Sequence, residues 1–317
     1  MPKEASELFL EFLKRHDGKK IAIATHNKAD PDAISSAFAL SKAIPGSVIC
    51  TDEEPSEGAR LLIKRLGIET RKLTGLPRDG FEGLVVVDTS AYTLIPAARG
   101  WRILCLIDHH RGEGRDMSGE LEMIEPESPS AAEIVASILP AIDKDSAFAL
   151  CAGIIADGAR FKSARARTFE VLASLMKISG ASYPELLSIA EPEPRPEAKI
   201  AMLSAMKRLE FVYAAGYLVA TTEVGSNESD AASLISEAAD VAFVAKWKDA
   251  EKETRISARA RKSVAVPLNK VLAEVGKSLG GAGGGHPKAA GAALKAHTDE
   301  ALKRCVETFI SMAEGQA

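Results

Sequence analysis

Seven residues, Leu104 to His110, carry an apolar run straight into an acid and two imidazoles: Leu-Cys-Leu-Ile-Asp-His-His. Asp108, His109 and His110 are side chains that hold cations or move protons, and packing has no use for them at the mouth of a buried strand. Other apolar stretches end in the same way. Ile21 to Thr25 runs into His26, Leu84 to Val87 into Asp88, and Ala152 to Ala156 into Asp157, while Asp30 and Asp32 follow His26 closely. A pair of divalent cations about 3.5–4 Å apart needs several carboxylates, one of them shared, and a few imidazoles. His26, Asp30, Asp32, Asp88, Asp108, His109, His110 and Asp157 supply that inventory. Imidazoles among the ligands favour Mn²⁺ over Mg²⁺. Each residue alone has a plainer reading, such as Asp32 capping a helix or Asp88 and Ser90 starting one. Their convergence is what points to metal.

Such a set converges only if the strands that carry it end in one crevice, as in an open parallel sheet. The chain has that pattern. Residues 4–16 read as a helix with an apolar stripe of Leu8, Phe9, Phe12 and Leu13, and Ile21 to Thr25 as a buried strand. Pro31 suits a helix start, so His26, Asp30 and Asp32 fall on the turn into a helix covering about Ala33 to Ala43. Strands at Val48 to Thr51, Leu84 to Val87 and Ile103 to Ile107 alternate with a helix at Ser56 to Leu66. Helices at Ala131 to Leu139 and Ala147 to Ile155 follow, the second delivering Asp157. The fold class is therefore α/β, with a doubly wound, mainly parallel sheet in an N-terminal domain over residues 1–190. Alternating prolines at Pro192, Pro194 and Pro196 favour an extended linker at 191–198. Residues 199–317 mix strands and helices in the order of a smaller α+β domain, expected to face the first across a cleft.

That second part carries Gly280-Gly281-Ala282-Gly283-Gly284-Gly285-His286-Pro287, which reads as a glycine loop whose backbone amides approach an anion, with His286 and Lys288 adding charge. A flexible turn is the plainer alternative. Arg255, Arg259 and Arg261 alternate along the preceding strand and share a face; Arg259 is singled out for a substrate anion.

The chain of 317 residues has 46% hydrophobic and 26% charged residues, ordinary for globular domains. No apolar run approaches the roughly 20 residues that span a bilayer, and an amphipathic N-terminus replaces a secretory signal, so a cytoplasmic protein is expected. Four cysteines, Cys50, Cys105, Cys151 and Cys305, are widely spaced in apolar settings and read as buried thiols. A net charge of −4 argues against a general binder of long duplexes, and 5% aromatic residues argue against a long stacking platform. A nucleic-acid substrate would be short.

Together these residues resemble the DHH-type phosphoesterases, the group that includes RecJ exonucleases, nano-RNase/pAp phosphatases and cyclic dinucleotide phosphodiesterases, with the associated C-terminal domain. The first family motif is met by His26, Asp30, Asp32, Ala33 and Ser36, the second by Asp88, and the third by Asp108, His109 and His110. The fourth appears as Ala156-Asp157-Gly158-Ala159-Arg160-Phe161, keeping the acid but not its usual threonine neighbours. The C-terminal Gly-Gly-Gly-His motif is met by Gly283, Gly284, Gly285 and His286, and the strand before it by Ser257 and Arg259.

The resemblance implies two divalent cations, Mn²⁺ with Mg²⁺ or Co²⁺ as alternatives. His26, Asp30, Asp88 and Asp157 would hold the first; Asp32, Asp88 and His109, with Asp157 or solvent, would hold the second. Asp88 would bridge them, Asp108 would orient an imidazole, and His110 would donate to the scissile phosphate. Arg259, His286 and the glycine amides would hold a phosphate or terminal nucleotide. The implied substrate is a short oligonucleotide, a linear dinucleotide or pAp, and the likeness also allows a homodimer. A RecJ-like exonuclease on longer single strands and a catalytically weak nucleotide-binding or replication-scaffold protein are the alternatives. A family II inorganic pyrophosphatase would share the metal motifs but lacks the Gly-Gly-Gly-His stretch.

Overall fold

The computed structural model describes residues 2–110, 114–158 and 161–315. Ala159 and Arg160 of the fourth motif, and the start of the polar loop after His110, lie outside the described residues. The chain divides into two compact units, Met1–Glu193 and Pro194–Ala317.

In the first unit the order is α1 (Pro2–Arg15), β1 (Ile21–Ala24), α2 (Pro31–Ala43), β2 (Val48–Cys50), α3 (Glu57–Leu66), β3 (Thr70–Arg71) and β4 (Gly83–Val87). Then come β5 (Ile103–Asp108), β6 (Leu121–Ile124), α4 (Ala131–Ile138), α5 (Lys144–Asp157), α6 (Ala166–Ser179) and α7 (Tyr183–Ala190). The six strands form one sheet, ordered β3-β2-β1-β4-β5-β6, and every pairing is parallel. Between β1 and β4 the strand order reverses, which opens a crevice beyond their carboxyl ends. His26 follows β1 and Asp88 follows β4, so the first and second motifs flank that point.

Strands β1, β4 and β5 are buried along their whole length, which explains why they read as unbroken apolar runs. Alternate residues face opposite ways. Ile21, Ile23, Val85, Val87, Cys105 and Ile107 pack into a core to which α1 through α7 all contribute. Ala22, Ala24, Leu84, Val86 and Leu106 face a second core closed by Leu73, Ile95, Ala98, Trp101 and Met117, which lie on single 3-10 turns and loops rather than α-helices. The parallel α/β architecture is the one expected. What periodicity does not reveal is that one face of the sheet is covered by segments too short to show a period. The edge strands β3 and β6 also escape a sequence reading, having two and four residues and no clean alternation.

The second unit begins with α8 (Pro196–Lys207), so the helix starts inside the stretch read as an extended linker. Pro196 occupies a first-turn position, where its missing N–H costs nothing. It continues with β7 (Glu210–Ala214), β8 (Tyr217–Glu223), α9 (Glu228–Ile235), β9 (Val241–Lys248), β10 (Glu253–Ala260), α10 (Leu268–Ser278), β11 (Ala282–His286), β12 (Ala289–Leu294) and α11 (Thr298–Glu314). The sheet is mixed, ordered β11-β12-β10-β9-β8-β7, with β8 and β9 parallel and the other pairs antiparallel. Val219, Val241, Phe243, Ile256, Ala258 and Leu294 on one face pack against α10 and α11. On the opposite face Ala220, Ala242 and Val244 pack against Ala231, Ala232 and Ile235 of α9. Among the described residues, no helix is long and apolar enough to cross a membrane.

Candidate functional site

At the reversal of strand order the side chains meet as their types suggest. Asp88 is 2% exposed, and its two oxygens face different imidazoles: Oδ2 lies 3.4 Å from His26 Nε2, and Oδ1 lies 3.3 Å from His109 Nε2. His26 Nε2 also lies 4.0 Å from Asp30 Oδ2. His109 Nε2 lies 3.2 Å from Asp157 Oδ2 and 4.0 Å from Asp32 Oδ2. Two groups that could hold a cation result, His26–Asp30–Asp88 and Asp32–His109–Asp157, each with its donor atoms within 4.8 Å of one another. A third grouping, Asp88–His109–His110, overlaps both ends of this arrangement.

The backbone explains how each donor is aimed. Asp88 sits at φ 63°, a left-handed conformation that aspartate tolerates better than most residues and that turns the carboxylate back across the strand ends. Asp30, not Asp32, is the N-cap of α2: its carboxylate accepts from Ala33 N–H at 3.0 Å. The helix starts at Pro31, earlier than its apolar pattern, and Asp30 therefore caps with Oδ1 while Oδ2 faces His26. Asp32, fully buried, accepts backbone N–H bonds from Ala131 at 2.7 Å and Ala132 at 2.8 Å. Those are the free amides at the N-terminus of α4, a natural seat for an anion. His109 Nδ1 lies 3.3 Å from the Ser128 carbonyl, which makes Nε2 the ring nitrogen that faces the acids. Asp157 is the last residue of α5, where the helix dipole disfavours a negative charge.

The electrostatics need a partner that the protein alone does not supply. Burial raises the Asp157 carboxyl, and Asp88 and Asp30 add to this over the opposing pull of His109, giving about 6. Burial and the charges of Asp88 and Asp157 push Asp32 upward as well. Burial would lower His109, but the acids around it raise it to about 10. Burial would raise Asp88, but the imidazoles of His109 and His26 beside it hold it at about 2. Asp88 Oδ1 and His109 Nε2 are nevertheless buried atoms without a hydrogen-bond partner. Orphaned buried donors and acceptors are costly. Hard carboxylate oxygens and imidazole nitrogens brought within 4.8 Å of one another suit divalent cations, and the residues fit such ions.

Asp108 stands behind these groups and fixes His110, a member of the third. Asp108 is fully buried, and its Oδ1 accepts from His110 Nδ1 at 2.7 Å and from the backbone N–H of His109 at 2.8 Å. Burial alone would raise Asp108; the His110 contact holds it lower, and the same hydrogen bond raises His110. His110 is thus oriented by a fixed carboxylate while its ring remains more than half exposed.

Sequence reasoning missed the supports of this site. Ser130 caps α4 through Glu133 N–H, and Glu133, 1% exposed, pairs with Arg165 at 2.9 Å. The legible signal was Ser130-Ala131-Ala132-Glu133, a helix-start pattern. It marks the helix whose amides seat Asp32.

In the second unit the glycine stretch is not a nest. Ala282–His286 is an extended edge strand paired antiparallel with β12. Its register aligns His286 with Ala289 and Ala289 with Arg259, and Gly284 with Gly291 and Gly291 with Ser257. Directly paired residues share a face. His286 and Arg259 therefore project from one side, two strand spacings or about 10 Å apart, over a floor of Ala289, Gly291 and Gly284. Arg259 is held by Ser229 Oγ at 2.8 Å and the Ala258 carbonyl at 3.1 Å, and burial lowers its pKa. Lys288, read above as adding charge to the glycine stretch, donates to the Val264 carbonyl, and Arg261 donates to the Ser236 and Glu237 carbonyls at the end of α9.

Three of these glycines differ in purpose. A Cβ on Gly283 would lie 2.1 Å from the Leu272 carbonyl, so that residue lets α10 close on the sheet. Gly285 has φ 126°, a conformation reserved for glycine. Gly284 is exposed, and a Cβ there would meet nothing within 4 Å.

The family model described as the DHH family, N-terminal domain, matches residues 20–155, and that of the DHHA1 domain matches 216–315. An uncharacterized protein of Methanocaldococcus jannaschii is 32% identical over 328 residues, covering 95% of this chain and 96% of that protein. The chain belongs to the DHH family of phosphoesterases. As a DHH protein it is a hydrolase of phosphoester bonds. A Streptococcus mutans DHH relative named "Probable bifunctional oligoribonuclease and PAP phosphatase NrnA" is 26% identical over 315 residues, covering 91% of this chain and 93% of that protein. The fold is also that of an exopolyphosphatase-related protein from Bacteroides fragilis, with a TM-score of 0.79 at 16% identity, covering 98% of this chain and 97% of that one.

Proposed function

We propose that this DHH phosphoesterase uses two divalent cations, Mn²⁺ in particular, to hydrolyse short oligonucleotides, linear dinucleotides or pAp to mononucleotides. The observation that carries the reading is Asp88, a buried carboxylate with one oxygen turned to each of two imidazole-containing ligand sets. His26, Asp30 and Asp88 would hold one cation, and Asp32, His109, Asp88 and Asp157 the other. When bound, such a pair polarises the phosphoryl oxygens and supplies a nucleophile at neutral pH.

The chain's own residues do the rest. His110, oriented by Asp108 at 2.7 Å and raised in pKa by that contact, donates a proton or hydrogen bond to the phosphate as charge develops on it. In the second unit Arg259 and His286 fit an anion, and the bare glycine floor between them admits close approach of a sugar or base. Two further features support a short substrate: the net charge of −4, and the oligoribonuclease and PAP phosphatase name carried by the Streptococcus mutans relative, to which the chain aligns over nearly its full length.

The test is hydrolysis, with Mn²⁺ and after chelation, of pAp, a linear dinucleotide, a five-residue RNA, a long single-stranded DNA and pyrophosphate. Metal-dependent release of mononucleotides from the shortest substrates supports the reading. Turnover confined to long DNA moves the protein to a RecJ-like class, and no turnover of any substrate overturns it.

A further inference from the structure

Gly153 lies in α5 one helical turn before Asp157, so the two residues share a face of that helix. That face packs on the start of α2. A Cβ at residue 153 would lie 2.2 Å from Ser35 Oγ, 3.0 Å from Ala132 Cβ and 3.1 Å from Asp32 Cα. All three atoms belong to the mount of one carboxylate. Asp32 Cα is its own backbone, Ser35 Oγ donates to the Asp32 carbonyl at 3.0 Å, and Ala132 gives its N–H to Asp32 Oδ1 at 2.8 Å. Alanine is the better helix former at this buried interior position, so local helix stability does not account for glycine.

We infer that Gly153 is a positioning residue: its missing side chain sets the separation between Asp32 and Asp157 and thereby the size of the cation site they share with His109. This rests on the reading of those three residues as ligands of one cation. A side chain at 153 turns the Ser35 hydroxyl aside and presses on Ala132 Cβ and Asp32 Cα, which must give by a few tenths of an ångström, and that shift of α5 against α2 and α4 moves Asp157 relative to Asp32. The His26–Asp30–Asp88 set hangs on β1, β4 and the N-cap of α2, and none of its atoms is among the three that the new Cβ would meet. The two sites should therefore respond differently.

The experiment is a calorimetric Mn²⁺ titration of the full-length wild type, Gly153→Ala, Ser35→Ala and the double variant, each with a thermal melt. We expect two Mn²⁺ in the wild type and in Ser35→Ala. In Gly153→Ala, affinity at one site should fall about tenfold or more, the scale seen when supports of metal ligands are altered, with the other site unchanged. The double variant, which removes the atom 2.2 Å away, should recover part of that loss. Two unaltered sites in Gly153→Ala overturn the inference alone. So do both sites weakening together with a lowered melting temperature, or no recovery in the double variant. Absence of Mn²⁺ binding in the wild type overturns the site reading itself.

Discussion

The two units offer a contrast in how a protein prepares a site. In the first, side chains of costly chemistry are buried and fixed from several directions: Asp32 by two amides of α4, His109 by the Ser128 carbonyl, and Asp108 by His110 and the chain. In the second, the face between Arg259 and His286 is prepared by removal, leaving an exposed Gly284 beside Gly291. A site built to hold small ions must make the ligand separations rigid. A site built to receive a flat or bulky group must stay out of the way, and there the missing atoms carry the information.

If that contrast holds, the heaviest loss should come from Asp88, whose charge lies between both ligand sets. Asp88→Asn keeps the shape and the tolerance for φ 63° while removing the charge. Turnover should fall by about a thousandfold or more, equivalent to about 4 kcal/mol of transition-state stabilisation, with the melting curve of the metal-free protein cooperative. Steady-state kinetics with saturating Mn²⁺ checks it; turnover within tenfold of wild type would remove Asp88 from the shared position. Asp108→Asn acts chiefly through the ring of His110, and the expected loss is about 10–100-fold in kcat with Mn²⁺ stoichiometry unchanged.

A tenfold change per pH unit is expected in Mn²⁺ affinity. Metal ligands must be unprotonated, and His109, raised to about 10, keeps its proton at neutral pH in the metal-free protein. Affinity should therefore rise about tenfold per unit from pH 7 to 9, with about one proton released per bound ion. The same shifts set the stability of the metal-free fold. A histidine raised from its usual value stabilises fully below about 6.5 and loses that contribution as pH climbs to about 10. Asp157, raised to about 6, costs stability as pH climbs from about 4 to 6. Both trends run downward with pH, so the rise in melting temperature caused by Mn²⁺ should be larger at pH 9 than at pH 6. Equal shifts at the two pH values would mean that these groups do not face the ion.

The contrast also divides what could be read from residue order. An acid or imidazole at the end of an apolar run is visible without coordinates, because burial of such a residue needs a reason, and the cluster of His26, Asp88, His109 and Asp157 follows from four such endings. The parallel sheet follows from the same runs. The seats of those residues were hidden: Asp30 as the cap of α2 lay one step outside the apolar pattern, and the amides of Ala131 and Ala132 have no side-chain signature. The glycine stretch misled for a physical reason. Glycine permits turns and also permits close packing, and the antiparallel pairing with β12, with no room for a Cβ at Gly283 beneath the Leu272 carbonyl, distinguishes a strand under a helix from a loop around a phosphate.

Adjacent glycines in that strand give the most discriminating comparison, although the effects are smaller. In Gly283→Ala the new Cβ meets the Leu272 carbonyl at 2.1 Å, so α10 must shift; overpacking of this kind costs about 1–3 kcal/mol. In Gly284→Ala the Cβ enters open space, and the loss of unfolded-state freedom should leave stability unchanged or higher by about 0.4–1 kcal/mol. If the floor beside His286 receives substrate, the second variant should raise KM for a linear dinucleotide about fivefold to tenfold, the worth of roughly 1 kcal/mol of lost contact, with Mn²⁺ binding untouched. Denaturant melts and initial rates on the two variants separate the roles. Equal destabilisation by both would make the stretch purely architectural, and an unchanged KM in Gly284→Ala would move the nucleotide off this face.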